Sequence, residues 1–178
     1  MKLADIVDLE TSSCFIDVRR EGLAAALGHD LRIEVTRHAL NAEDGETVAA
    51  EFDATSLRVV GALDSEGRLK PGDLSAKDRA TIEASIRDKV LESKRHPTVR
   101  FRAGRVTEQP GGYVVEGELE LHGVRKALRV EVTERDGRLV GRTTLHQPAW
   151  GITPYRAMLG ALRVQADVQV EVSAARRG

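Results

Sequence analysis

Near its carboxyl end the chain alternates without interruption. Leu162, Val164, Ala166, Val168, Val170 and Val172 take one parity, and Arg163, Gln165, Asp167, Gln169 and Glu171 take the other. Side chains on a strand switch face at every residue, so this spacing builds a strand that is apolar on one side and wetted on the other. A helix would scatter the same residues around its whole circumference. The pattern returns at Leu31, Ile33 and Val35, at Val99, Phe101 and Ala103, at Gly117, Leu119 and Leu121, and at Leu128, Val130 and Val132. Shorter candidate strands cover residues 14–18, 48–60 and 138–146.

Between these runs stand Pro110-Gly111-Gly112, His122-Gly123 and Asp136-Gly137. Such short, glycine-bearing connections make hairpins, which force antiparallel neighbours. The stretch 98–147 is therefore expected to be a meander. Counted this way, the chain is all-β, with about eight strands. A sheet with one continuous apolar face must cover it, and the expected solution is an eight-stranded antiparallel barrel, filled by side chains or holding one small ligand. One segment departs from the pattern. Over 75–91, Ile82, Ile86 and Val90 recur every four residues, which predicts a helix. Ser75 and Asp78 resemble a capping box at its start, and Pro97 lies beyond its end. This helix is expected on the barrel surface or across one mouth, and the whole of 1–178 reads as one domain.

Composition narrows the function. The 27 Lys and Arg nearly cancel the 28 Asp and Glu, leaving a net charge of −1. Binding to phosphates draws on a basic excess, so no nucleic-acid partner is expected. Arg95, Arg100, Arg102 and Arg105 form a basic strip, but Phe101 has the opposite parity to Arg100 and Arg102, so no ring shares their face for stacking on bases. No apolar run reaches the roughly 20 residues of a membrane-spanning helix. Asp5, Asp8 and Glu10 interrupt the first residues, which lack the pattern of a secretory leader, and a cytoplasmic location is expected. The single cysteine, Cys14, has no partner for an internal disulfide. It is expected as a reduced, half-buried thiol.

Sequence signatures for bond chemistry are missing. The five histidines, His29, His38, His96, His122 and His146, show no helix-face spacing for a metal, so neither a metal nor a cofactor is expected. There is no G-x-S-x-G elbow and no glycine-rich phosphate loop. What stands out instead is an aromatic content of only 3%. The interior must be built from aliphatic residues, with Phe15, Leu31, Ile33, Val35, Phe52, Val99, Phe101, Leu119, Leu128, Val130, Val132, Leu162, Val164 and Val168 converging on one space. Alternation alone does not separate a packed core from a hollow one.

The order of three motifs resembles the YceI-like family of lipocalin-like proteins. The first is the helical segment running into Arg95-His96-Pro97-Thr98-Val99-Arg100-Phe101, with His96 where the family usually has an aromatic. The second is Gly117-Glu118-Leu119-Glu120-Leu121-His122-Gly123-Val124, and the third is Ala149-Trp150-Gly151-Ile152 ahead of the final strand. The resemblance extends from Phe15 to about Val172. It implies an antiparallel barrel that binds or carries a hydrophobic small molecule, an isoprenoid or another lipid, with no bond chemistry. Trp150 then joins the cavity lining, and His29, Gln147 and Arg156 are the expected polar groups at its mouth. Two other readings stay open on the residues alone. One is a packed β-barrel acting as an interaction or stress-response module, as a monomer or a homodimer. The other is an enzyme at the barrel mouth around His29 and Asp30.

Overall fold

The computed structural model describes residues 2–178. The chain opens with a single helical turn, α1 (Leu3–Ile6), and then runs through β1 (Ser13–Val18), β2 (Arg20–Glu21), β3 (Asp30–Val35), β4 (His38–Glu43), β5 (Thr47–Asp53), β6 (Leu57–Leu63) and β7 (Leu69–Lys70). The helix α2 (Ala76–Ser85) follows. The long meander is β8 (Thr98–Gln109), β9 (Gly112–Leu121), β10 (Val124–Arg135) and β11 (Arg138–His146). The chain closes with β12 (Arg156–Ala157), β13 (Leu162–Val164) and β14 (Asp167–Ala175).

Eleven of these strands form one curled antiparallel sheet in the order β4-β5-β8-β9-β10-β11-β14-β1-β3-β6-β7, and β12, β13 and β2 form a small second sheet. The expected eight-stranded barrel is thus corrected to an eleven-stranded half-barrel. The physical reason lies partly in two bends. The segment 48–60, read as one candidate strand, divides into β5 and β6. There the Asp53 carboxylate accepts from the Thr55 backbone N–H at 2.8 Å and from the Thr55 hydroxyl at 2.6 Å. Opposite, β3 and β4 are separated at Thr36–Arg37, where the Ser56 hydroxyl accepts from Arg37 N–H at 3.0 Å. Short polar side chains that bond the nearby backbone offer it an alternative to the ladder, and the hairpin bends here. Its β4–β5 half pairs with β8 and its β3–β6 half pairs with β1, so the two halves turn the sheet around a common interior. The final alternating run also divides: β13 joins the small sheet, while the Gln165 N–H donates to Arg19 O and the Ala166 carbonyl accepts from the Gln147 N–H.

Inside the sheet, large and small residues alternate to fit. Gly117 on β9 lies beside Phe101 of β8, and a Cβ at Gly117 would stand 2.6 Å from that ring. The glycine makes the space the ring fills. The helix starts as its sequence predicts, with Asp78 N–H donating to Ser75 Oγ at 3.0 Å and Ser75 N–H to the Asp78 carboxylate at 3.4 Å. It continues through one wide turn, Ile86–Val90, in which Leu91 N–H reaches back to Ile86 O. Ile82 and Ile86 pack with Val18, Leu31, Ile33 and Val59 of the sheet. Glu83 accepts from the Val59 N–H at 2.8 Å, so the helix also satisfies a donor beside the bulge in the β3–β6 pairing. At another side of the interior, Ala4 and Val7 pack with Val115, Val132 and Leu139, so the amino-terminal turn contributes to the core.

Candidate functional site: an apolar cavity

The curled sheet is hollow. A cavity of about 490 Å³ runs through it, bounded by inward residues of β1, β3, β5, β8, β9, β10, β11 and β14 and by the helix. Of the residues expected to face this space, Leu31, Ile33, Val35, Phe52, Val99, Phe101, Leu119, Leu128, Val130, Val132, Trp150, Leu162, Val164 and Val168 line it. Parity holds across the break between β13 and β14, because Leu162, Val164, Val168, Val170 and Val172 still face inward. The helix stripe Ile82, Ile86 and Val90 lines the cavity too, which places α2 across an opening of the half-barrel.

Two expected residues are corrected. Phe15 does not line the cavity: on β1 it is Cys14, Ile16 and Val18 that face it. Phe15 stands opposite Glu34 and Glu171 on the outer face. The short run Cys14-Phe15-Ile16-Asp17-Val18 has apolar residues on both parities, and its one ring draws the sequence reading to the wrong face. Arg156 is exposed on β12, paired there with Arg163 in the small sheet, and it is Arg163 that reaches the lining. Sequence reasoning also passed over Leu139, Gly141, Thr143 and Leu145, whose shared parity on β11 was a usable signal. Leu3 and Val7 carry no such signal, since they lie in and just after the single helical turn α1, where strand parity does not apply.

Polar groups gather where the small sheet meets the cavity. Arg20, His29, Tyr155 and Arg163 all contribute to the lining there. His29 is exposed, whereas Gln147 is buried and donates from Nε2 to Gln165 O at 3.0 Å. The arginines are already engaged. Arg20 Nη1 donates to Gly28 O, Arg163 Nε donates to Glu21 at 3.3 Å and its Nη1 to Gly160 O at 2.9 Å, while Arg19 bonds Asp30 at 3.0 Å. Around this rim, Leu23, Leu27, Met158 and Leu159 are exposed, Leu23 and Leu159 fully so. Two of them, Met158 and Leu159, hold positive φ angles of 52° and 55°.

Cys14 lies on the cavity wall, almost wholly buried, and burial pushes its thiol up to about 12. A thiol in that state is protonated and a poor nucleophile. Three arginines of the basic strip are matched by carboxylates: Arg100 and Arg102 on β8 bond Glu51 at 3.2 Å and Glu43 at 2.6 Å, and Arg95, ahead of β8, bonds Glu92 at 3.2 Å. Among the histidines, His38 stacks on Phe52 at 6.0 Å and bonds Val35 O, and His146 pairs with Asp167 on the surface. His96 and His122, distant in sequence, come together with a ring separation of 4.4 Å, and Glu92 joins them.

A family model described as YceI-like domain matches residues 7–175. Among solved structures, the fold is similar to BcnA of Burkholderia cenocepacia, with a TM-score of 0.61 and 13% identity over 94% of this chain and 97% of that one. It is also similar to a polyisoprenoid binding domain from Saccharophagus degradans implicated in plant cell wall breakdown, with a TM-score of 0.57 and 13% identity over 98% and 99% of the two chains. A Campylobacter jejuni YceI protein matches with a TM-score of 0.53 and 10% identity over 82% of this chain and 84% of the other. At these identities the likeness is one of fold. No curated protein matches the sequence.

Proposed function

The chain belongs to the YceI-like domain family, and from that premise we propose that it binds or carries an extended hydrophobic molecule, of the polyisoprenoid or a related lipid class, in the cavity of its half-barrel, without bond chemistry. The observation that carries this reading is the cavity itself: it is closed in mostly by aliphatic side chains and lies open where the interior of a packed β-domain would be filled. At about 30 Å³ for a group the size of a water molecule, 490 Å³ holds roughly 16 methylene-sized groups. Burying each contributes about 0.8 kcal/mol, or about 13 kcal/mol gross. Association costs an estimated ~4–15 kcal/mol. Near the low end of that cost the remainder corresponds to micromolar binding, about −8 kcal/mol.

The polar rim supplies the other half of the reading. Arg20, His29, Tyr155 and Arg163 offer donors to a headgroup left at the cavity's end. Each further methylene that the cavity can bury adds about 0.8 kcal/mol, so chain length contributes to selectivity up to the cavity's capacity. The polyisoprenoid binding domain of similar fold supports the choice of ligand class. The packed-module alternative has no support from a hollow interior.

The test is to isolate the protein without detergent, extract it with organic solvent and analyse the lipid released. One hydrophobic molecule per chain, retained through gel filtration, is the expected result. Protein that carries none, and that takes up no long-chain probe after extraction, would overturn the proposal.

A further inference from the structure

Outside the cavity, the fold assembles a second group of chemically capable side chains. Glu92 and His96 lie in the short link between the helix and β8, and His122 occupies the turn between β9 and β10. One donor atom from each lies within 4.8 Å of the others. His122 Nε2–H donates to Glu92 Oε2 at 3.1 Å, and the His122 side chain is only 11% exposed. Both Glu92 and His122 hold left-handed backbone angles, with φ of 46° and 54°. That conformation is uncommon for residues other than glycine, and here it turns both side chains toward His96. Gly123, next along the turn, leaves room for the His96 ring: a Cβ there would stand 3.1 Å from His96 Cε1.

We propose that Glu92, His96 and His122 form a binding site for a divalent transition-metal cation of the zinc type. Two imidazoles and one carboxylate are a donor set suited to such an ion. Zinc bonds of about 2.0–2.2 Å hold tetrahedral donors about 3.3–3.6 Å apart, so an ion would draw together donors that now lie within 4.8 Å, with Glu92 offering Oε2 while Arg95 holds Oε1 at 3.2 Å. For His122 to bind the ion through Nε2, the proton it now donates to Glu92 moves to Nδ1, so the ring stays neutral and the freed carboxylate oxygen faces the ion. The fourth position falls to water. Structurally, the ion ties the link after the helix to the β9–β10 turn. Leu91 precedes Glu92, Leu121 precedes His122, and both line the cavity. Metal binding therefore braces the wall that the helix closes. Neither sequence spacing nor the proposed lipid binding accounts for this group.

The test uses the full chain, stripped of metal by a chelator and titrated with Zn²⁺ alone by calorimetry and by thermal unfolding. Wild type is expected to take up one ion per chain and to unfold at higher temperature with it. Co²⁺ in the same site should give the intense visible absorption of tetrahedral coordination. Glu92→Gln keeps the side chain's shape, and His96→Phe keeps a ring against His122. Each is expected to weaken Zn²⁺ binding by tenfold or more and to abolish the thermal shift, with circular dichroism unchanged. His146→Ala, which removes an exposed histidine elsewhere, should bind as wild type does. Absence of saturable binding in wild type, equal binding by wild type and both site variants, or loss of binding in His146→Ala would each overturn the assignment.

Discussion

Replacing Val130 by Phe separates a hollow interior from a packed one. Val130 lies on β10 opposite Val115, and its Cγ1 stands where a side chain on Gly141 would otherwise be, 3.0 Å from that position's ideal Cβ. The side chain faces the cavity. Phenylalanine adds about four carbon-sized groups, which take up about 120 Å³ at ~30 Å³ each. That is roughly a quarter of the 490 Å³ cavity on the same per-group volume. A ligand that fills the cavity must withdraw about four methylenes, at about 0.8 kcal/mol each. The loss of about 3 kcal/mol corresponds to roughly 200-fold weaker binding. Stability moves differently. In a packed core the extra ring costs about 1–3 kcal/mol through overpacking. In an open cavity it meets free space and gains dispersion contacts, so the unliganded variant should unfold at the same urea concentration as wild type or a higher one. The assay pairs displacement of a fluorescent long-chain acyl probe with urea unfolding of the delipidated protein. A folded variant with wild-type affinity would refute the reasoning, and so would one destabilised by the overpacking cost.

Other consequences follow from single groups. Leu159→Asp combined with Leu23→Asp removes exposed apolar side chains beside the cavity rim; it should slow uptake of a probe from vesicles severalfold, read by stopped-flow fluorescence, while leaving equilibrium affinity in detergent-free solution unchanged. Cys14, with its thiol raised to about 12 by burial, should resist a water-soluble disulfide reagent at mildly alkaline pH and react fully in denaturant; rapid labelling of the native protein would contradict its place on the wall. The Asp53 carboxyl is held below its ordinary value of 3.8 chiefly by the Thr55 hydroxyl, with the Thr55 N–H and Arg37 adding to the effect. A depressed carboxyl stabilises the fold above its unfolded value and loses that contribution as pH falls through its folded value. Wild type should therefore resist urea better than Asp53→Asn at neutral pH, with the difference shrinking below about pH 4; a difference that persists in acid would show that charge at the bend is not the cause.

Much of the interior was legible because a strand writes its burial into parity. Leu128, Val130 and Val132 face the cavity for the same reason that Arg129 and Glu131 face water. The capping box at Ser75 was equally plain, since its two hydrogen bonds are local. Strand count was less so. The bends at Thr36–Arg37 and Asp53–Ser56 depend on hydrogen bonds between the two arms of a hairpin, and alternation passes through them without a mark. Phe15 shows the limit of residue type as a guide: a lone ring beside Cys14 and Ile16 looks like core, but pairing with Glu34 and Glu171 fixes it outside. Whether the interior was hollow was beyond the sequence, because it depends on the radius to which the sheet curls rather than on any residue's polarity. The grouping of Glu92, His96 and His122 was also hidden, as 25 residues separate the two histidines and a turn brings them together.

An open, apolar interior of this kind should take up a long hydrophobic chain. Native mass spectrometry of the delipidated protein, incubated with a polyprenyl lipid and a short-chain analogue together, tests this most directly. The prediction is a single adduct of one polyprenyl molecule per chain, which outcompetes the analogue and is lost from Val130→Phe. A bare protein mass under conditions that preserve the fold, or multiple adducts that are indifferent to chain length and to Val130→Phe, would contradict it.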